Sequence, residues 1–418
     1  MNRFIKRWNN IMYMWCNGIL DTLPNSYTDN ISPRKTLKKV RLIVKDMTAD
    51  FLRLFKSTQI PQSRIWFLVL TQNNIDALKE IKKEIPDSIF VSFFRLRTKL
   101  STKTYYFTLR LLFFHDIIYP FKLFFYYLGN KKKAIRFYDL LFTVNGTYEE
   151  CIRMLKKSRP KAIVFTNDHS VIPRALLLAA NNLGIETYYV QHASVTKYFP
   201  PLEFSHALLD GEDAYLKYKE CGAVKSKVHL VGISKFDRYV NQCNNNDKLT
   251  SVGVAYNLTD EIAPIYRFLI KLRKYNPDIK IIARAHPADQ RGLPFIKGVE
   301  KSNPNQEMVF EFLKNIDCLI SGDSSIHLEA VLLNVYPCYY NFSVSKRFDY
   351  YSYVKNQLVE FFEDFDALNS KIKELKEIKP NIQYKAKHYN AAINTNFYGK
   401  STLRISEIIL ETIDGKDI

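Results

Sequence analysis

From Arg64 onward, short apolar runs alternate with amphipathic stretches, and no other feature of the sequence restricts the fold as tightly. The predicted strands are Ile65–Leu70, Ile89–Phe93, Ala162–Thr166, Glu186–Gln191, Ala207–Asp210 and Val228–Val231, then Val252–Tyr256, Ile279–Arg284, Cys318–Ser321 and Tyr336–Asn341. Helical patterns such as Val171–Leu183 lie between them. Strands that alternate with helices build parallel α/β sheets, because a parallel pair needs a long crossover connection. The two series are separated by Asn241–Asp247, NQCNNND, a polar run without periodicity that reads as a linker. A length of 418 residues also suits two domains better than one. The expectation is an α/β domain over residues 1–240, a linker over 241–247 and a second α/β domain from 248. A ligand cleft belongs between them, at the carboxyl ends of the strands.

The charge balance narrows the partners. The net charge is +19, from 61 Lys and Arg against 42 Asp and Glu, which favours anionic partners. The six cysteines (Cys16, Cys151, Cys221, Cys243, Cys318 and Cys338) are scattered without a CxxC pair, as incidental thiols in a reducing compartment would be. The start, MNRFIKRWNNIMYMWCNGIL, is basic and then partly apolar, but Asn9, Asn10 and Asn17 break the run. It reads as a helix of the mature protein, not as a cleaved leader. Tyr105–Leu128 is the most apolar segment, interrupted by Arg110, His115, Asp116, Pro120 and Lys122 and followed by Lys131, Lys132, Lys133 and Arg136. Those charges argue against a spanning helix. Rings at headgroup level beside basic side chains suit an interfacial segment on anionic lipid, over about residues 105–136. A buried helical hairpin is the competing reading. Nucleic acid is not an expected partner, since the aromatics form one apolar block and no known binding module is present.

Neither GxGxxG after a strand nor GxxxxGK[ST] occurs, and no His or Cys spacing suggests a metal site; no cofactor is expected. Polar clusters at predicted strand ends remain. RAHPAD (Arg284–Asp289) follows one strand, and its Arg284 and His286 can donate to a phosphate. SGDSSIHLEA (Ser321–Ala330) follows another; Ser324 and Ser325 can offer hydroxyls and a helix N-terminus to an anion, with Glu329 one turn on. The same stretch also reads as a plain helix cap. TNDHS (Thr166–Ser170) and QHA (Gln191–Ala193) put Asp168, His169 and His192 at strand ends, all of a type suited to remove a proton from a hydroxyl. Asp210, in DGED, is a further acid and reads more readily as the cap of the helix after it.

The order of these motifs, QH, DG before a helix, VGISKFD, the polar run, RAHP, SGDSS with Glu329, then YP, resembles bacterial envelope glycosyltransferases of the GT-B fold. The likeness is to the polysialyltransferase-like, sialyltransferase-like and CDP-glycerol glycerophosphotransferase-like group, and it runs over about Lys161–Ile409. The tail NFYGKSTLRISEII resembles that group's terminal helix, placed here over 399–418 and packing back on the first domain. The resemblance implies two Rossmann-like domains facing across a cleft, an acceptor side over 1–240 and a donor side over 248–398. It assigns Arg284, His286, Ser324, Ser325 and Glu329 to a CMP-, CDP- or UDP-linked donor, and it implies a base in the first domain, for which Asp168 and His192 are the candidates. It further implies metal-independent transfer of a sugar to a hydroxyl of a cell-surface glycan or lipid-linked acceptor, in capsule, O-antigen or lipooligosaccharide synthesis. The enzyme would be cytoplasmic, peripheral on the inner face of the membrane. This chain departs from the pattern at Ala193, where the group commonly has glycine, and in SGDSS, where the serines are shifted. A nucleotide-sugar 2-epimerase-like isomerase and a polyol-phosphate transferase of the CDP-glycerol type are the alternatives.

Overall fold

All ten predicted strands form, and every recorded pairing between strands is parallel. The computed structural model describes residues 2–17, 28–29, 31–53, 62–93, 103–107, 118–196, 198–258, 260–342 and 349–415. The first sheet comprises β1 (Ile65–Leu68), β2 (Ser88–Ser92), β3 (Thr104–Tyr106), β4 (Ala162–Phe165), β5 (Glu186–Val190), β6 (His206–Leu209) and β7 (Lys227–Leu230), in the order 3-2-1-4-5-6-7. The second comprises β8 (Ser251–Tyr256), β9 (Lys280–Ala285), β10 (Val299–Ser302), β11 (Cys318–Ser321), β12 (Tyr336–Tyr340) and β13 (Glu360–Phe362), in the order 10-9-8-11-12-13. Strand order reverses between β1 and β4 in one sheet and between β8 and β11 in the other. Such reversals open a crevice at the carboxyl edge.

Period-two alternation explains why the strands are continuously apolar. In β1, Trp66 and Leu68 pack with Trp8, Tyr126, Leu141 and Leu176 on one face. Ile65 and Phe67 pack with Ile75, Leu78, Ile405 and Ile408 on the other. Both faces are covered, so both sets of side chains must be apolar. The helix Asn2–Ile11, expected from the basic start, therefore belongs to the first core: Trp8 is fully buried, and such burial contributes about 2–3 kcal/mol.

Three short strands were not legible. β10 (VEKS) and β13 (EFF) are edge strands carrying exposed glutamate or lysine, which removes their apolar signature. β3 takes Tyr105 and Tyr106, the first two residues of the apolar segment that reads as interfacial. Arg110, His115 and Asp116 of that segment lie outside the described residues. Its last part, with Pro120, opens the helix Tyr119–Ser158, whose backbone leaves helical geometry at Asn130 and Phe137.

The polar run at 241–247 is no loose linker. Asn244 and Asn246 donate their side-chain amides to Asp317, and Asn334 donates to the Asn244 carbonyl. The chain returns to the first sheet near its end. The Ala391 amide donates to the Asp210 carbonyl at 2.8 Å, and the Asp237 carboxylate accepts the first amides of the helix Ser401–Ile413, from Ser401 at 3.0 Å and Thr402 at 2.7 Å. Two glycines admit this return. A Cβ at Gly211 would lie 2.6 Å from the Tyr389 backbone, and Gly232, at φ +82°, would meet Ala392, Ser401 and Asn390. The helix Ser401–Ile413 then packs on the helix Gln72–Lys83, its Ser406 hydroxyl beside the Ile81 carbonyl.

Candidate active site

The carboxyl edges of the two sheets enclose a cavity of about 390 Å³. The first sheet contributes His192 after β5, Asp210 after β6, and Lys235 and Arg238 after β7. The second contributes Ser325, Glu329 and Tyr351.

Gln191 joins two of these loops. Its side-chain oxygen accepts the Asp210 amide at 2.9 Å, and its amide donates to the Ala193 carbonyl at 3.0 Å. Asp210 does not cap the helix behind it: that position belongs to Gly211. Burial instead pushes the Asp210 carboxyl up to about 8, against the opposing pull of Lys235. Lys235 bridges the two sheets, with its Nζ donating to Glu329 Oε1 at 2.6 Å. The Lys235 side chain is 45% exposed at the cavity, and Glu329 and then Asp210 hold its pKa above the ordinary lysine value against the partial loss of solvation there. The His192 imidazole is driven down to about 4 by burial, then by His169 and Lys235, and is neutral at physiological pH. Two potential proton acceptors and a cation from the first sheet thus share one cavity with a serine and a second carboxylate from the other.

The SGDSS turn divides its labour. The Asp323 carboxylate accepts the Tyr350 amide, with both oxygens at 3.0 Å. Ser324 Oγ accepts the Ile326 amide at 3.4 Å, a local contact outside the cavity. Ser325 precedes the helix Ile326–Leu332 without a side-chain capping bond and lines the cavity with Glu329 one turn on. That helix has seven residues, so its dipole adds little, and the useful groups are the side chains themselves.

Known structures of this architecture are numerous. No protein-family model matches the chain, and no curated protein sequence does. Among solved structures, the UDP-GlcNAc 2-epimerase of Neisseria meningitidis bound to UDP-GlcNAc superposes with a TM-score of 0.52 at 13% identity, covering 83% of this chain and 99% of that one. The wall teichoic acid polymerase TagF with CDPG gives 0.52 at 11% identity, covering 91% of this chain and 98% of that one. The glycotransferase of kitacinnamycin gives 0.51 at 12%, over 85% and 100%. The fold is GT-B.

Within the GT-B frame, the structure brings together His192, Ser325 and Glu329 of the expected site residues and leaves the others outside the cavity lining. Asp168 is buried and engaged: Arg174 donates to it and also to Glu203 at 2.8 Å and Asn10 at 2.8 Å, tying the first helix to the core. A carboxylate so paired is a structural anchor and not an accessible base. Arg284 is likewise held, donating to Ser302 Oγ, to Glu307 Oε2 at 3.2 Å and to the Glu307 carbonyl at 2.8 Å. His286 is exposed, its Nδ1 accepting the Ala288 amide at 3.1 Å, which makes it part of a local turn. Sequence reasoning missed Lys235 and Arg238 as site residues. The signal was available in VGISKFDR, where Gly232 permits a sharp turn at a strand end and two cations follow. Among the described residues, no group of three or more His, Cys, Asp or Glu side chains is arranged to hold a metal.

Proposed function

We propose that the chain is a glycosyltransferase that moves a sugar from a CMP-, CDP- or UDP-linked donor to a hydroxyl of a cell-surface glycan or lipid-linked acceptor, in capsule, O-antigen or lipooligosaccharide synthesis at the inner face of the membrane. The observation that carries this is the meeting of Asp210 and His192 from one sheet with Ser325 and Glu329 from the other in a single cavity. The biological setting rests on the motif resemblance.

In this reading the acceptor hydroxyl gives its proton to Asp210, and its oxygen attacks the anomeric carbon. The bond from that carbon to the phosphate oxygen breaks, and the electron pair leaves on the phosphate. Lys235, Arg238 and the Ser325 hydroxyl stabilise the departing charge. Glu329 accepts a ribose hydroxyl through Oε2 while Oε1 stays with Lys235. A carboxyl group near 8 is better matched than a histidine near 4 to a base working near neutrality, since it regains and releases its proton within the working range. The base role expected of Asp168 thus passes to Asp210, with His192 as the alternative.

A nucleotide-sugar isomerase is the second reading, favoured by the epimerase neighbour, and the TagF neighbour keeps polyol-phosphate transfer open. A thermal-shift panel of CMP, CDP, UDP and GDP tests all of them. One pyrimidine nucleotide at a hundredfold excess over its Kd is expected to stabilise the protein by about 2.7 kcal/mol. Ser325→Ala and Glu329→Gln should each reduce that shift. No shift with any nucleotide overturns the reading, and conversion of a nucleotide sugar to its 2-epimer without acceptor replaces it with the isomerase.

A further inference from the structure

A helix packed on a protein turns its apolar stripe inward. The helix Thr36–Arg53 does the reverse. Its buried side chains are Lys39 and Asp50, whereas Leu37, Val40, Val44 and Met47 are 64, 45, 54 and 37% exposed. The spacing of three, four and three residues puts those four on one stripe, with Leu37 about 200° from Lys39 around the helix.

This orientation is fixed by polar contacts. Lys39 Nζ donates to Asp139 Oδ1 at 3.0 Å and to the Arg136 carbonyl, and Ser32 Oγ donates to the two Asp139 oxygens at 2.8 and 2.9 Å. Both partners of the ion pair are nearly fully buried. Breaking such a pair strands a buried charge, so the helix cannot rotate its apolar side inward without a large loss.

The helix that receives Lys39, Tyr119–Ser158, has an apolar stripe of its own. Phe121, Phe124 and Leu128 are 63, 57 and 64% exposed before the break at Asn130. Cations border both stripes: Arg41 and Lys45 on one helix and Lys131 and Lys132 on the other are exposed. Residues 119–136 contain no Asp or Glu.

We propose that these two helices form a docking surface for an anionic lipid bilayer, lying in its interface with the apolar side chains at the acyl boundary and the cations at the lipid phosphates. No helix among the described residues is long and apolar enough to cross a membrane. Charge complementarity selects the occupant, since a second copy of the chain would set the same cations against one another. The inference deepens the transferase reading, on which it rests for the membrane-borne acceptor. It adds a segment, residues 36–53, that lies outside the region singled out by sequence.

Co-sedimentation of the full chain with vesicles tests it. The protein should pellet with phosphatidylcholine vesicles containing roughly 30% phosphatidylglycerol, and not with phosphatidylcholine alone. Val44→Asp/Met47→Asp and Phe121→Asp/Leu128→Asp should each lower the partition about tenfold or more. Arg41→Gln/Lys45→Gln should lower it about 25-fold, near fivefold per cation. All these side chains are exposed, and an unchanged melting midpoint verifies that the variants fold. Either apolar pair leaving the partition unchanged overturns the two-helix surface. So does a wild-type dimer in light scattering that Val44→Asp/Met47→Asp makes monomeric. Nucleotide-dependent stabilisation should survive in every variant. Failure to bind vesicles with that shift intact therefore sinks the surface and leaves the cleft reading standing.

Discussion

Two aspartates beside parallel strands have been driven to opposite ends of the carboxylate range. Asp317 precedes β11, at the amino edge of the second sheet, and is almost fully buried. It accepts six hydrogen bonds: from the side-chain amides of Asn244 and Asn246, and from the backbone N–H and hydroxyl of both Thr250 and Ser251, at 2.7 to 3.0 Å. Burial alone would raise its pKa, yet these donors hold it at about 2. Asp210 follows β6, at the carboxyl edge of the first sheet, where burial pushes it up to about 8 and only Lys235 pulls the other way. The amino edge surrounds its carboxylate with donors and makes it a fixed anion. The carboxyl edge leaves its carboxylate short of donors and able to take a proton near neutrality.

Removing the carboxylate at each edge in turn should have effects of different kinds. Asp210→Asn should lower transfer about 10²- to 10⁴-fold while leaving nucleotide-induced stabilisation intact. A base must be unprotonated to act, so wild-type activity should fall as pH drops below about 8. A limb near 4 that disappears in His192→Ala would instead make His192 the base.

At the amino edge the effect falls on stability. The Asp317 pKa is lower in the folded state than the ordinary unfolded value of about 3.9. Its contribution is therefore complete above about pH 5 and is lost as pH falls through about 2. Asp317→Asn should cost about 2–3 kcal/mol at pH 7 in denaturant unfolding, with the gap to wild type closing in acid. Nucleotide binding should not change. A variant as stable as wild type at pH 7 would mean that the six donors are satisfied by water as readily as by the carboxylate.

The same contrast explains how far the sequence could be read. Buried strands announce themselves because helices cover both faces, while β10 and β13 stay silent because edge strands carry charge. Ser325 and Glu329 were legible together, because four residues on a helix fixes their relative direction. The polar run at 241–247 looked like a linker because composition reports polarity and not partners. Its asparagines serve Asp317, which lies more than 70 residues away. Asp168, paired with Arg174 and outside the cavity lining, shows the same limit in reverse. A polar residue at a strand end resembles a catalytic one until the partner, here Arg174 with Glu203 behind it, is known. Asp210 was visible but assigned to capping, because sequence does not say that Gly211 occupies the cap.

A third titrating group lies at the carboxyl edge of the second sheet. His327 is fully buried two residues beyond Ser325, stacked on Tyr339, with its Nε2 donating to the Gly322 carbonyl at 2.9 Å. Burial drives its pKa down to about 4, so the folded state keeps the ring neutral. A histidine depressed on folding contributes fully above its unfolded value of about 6.5 and loses that contribution as pH falls toward 4. The loss should reach about 2 kcal/mol at pH 5 from this residue alone. Because His192 and His229 are also held near 4, the wild-type melting midpoint has more than one source of acid sensitivity. The difference between wild type and His327→Gln isolates one of them: the variant should be less stable at pH 7.5, where the ring is neutral and bonded, and should close that gap by pH 5. A gap that stays constant between those pH values would mean that the ring titrates alike in the folded and unfolded states and that its contribution comes from packing and its bond to Gly322 alone.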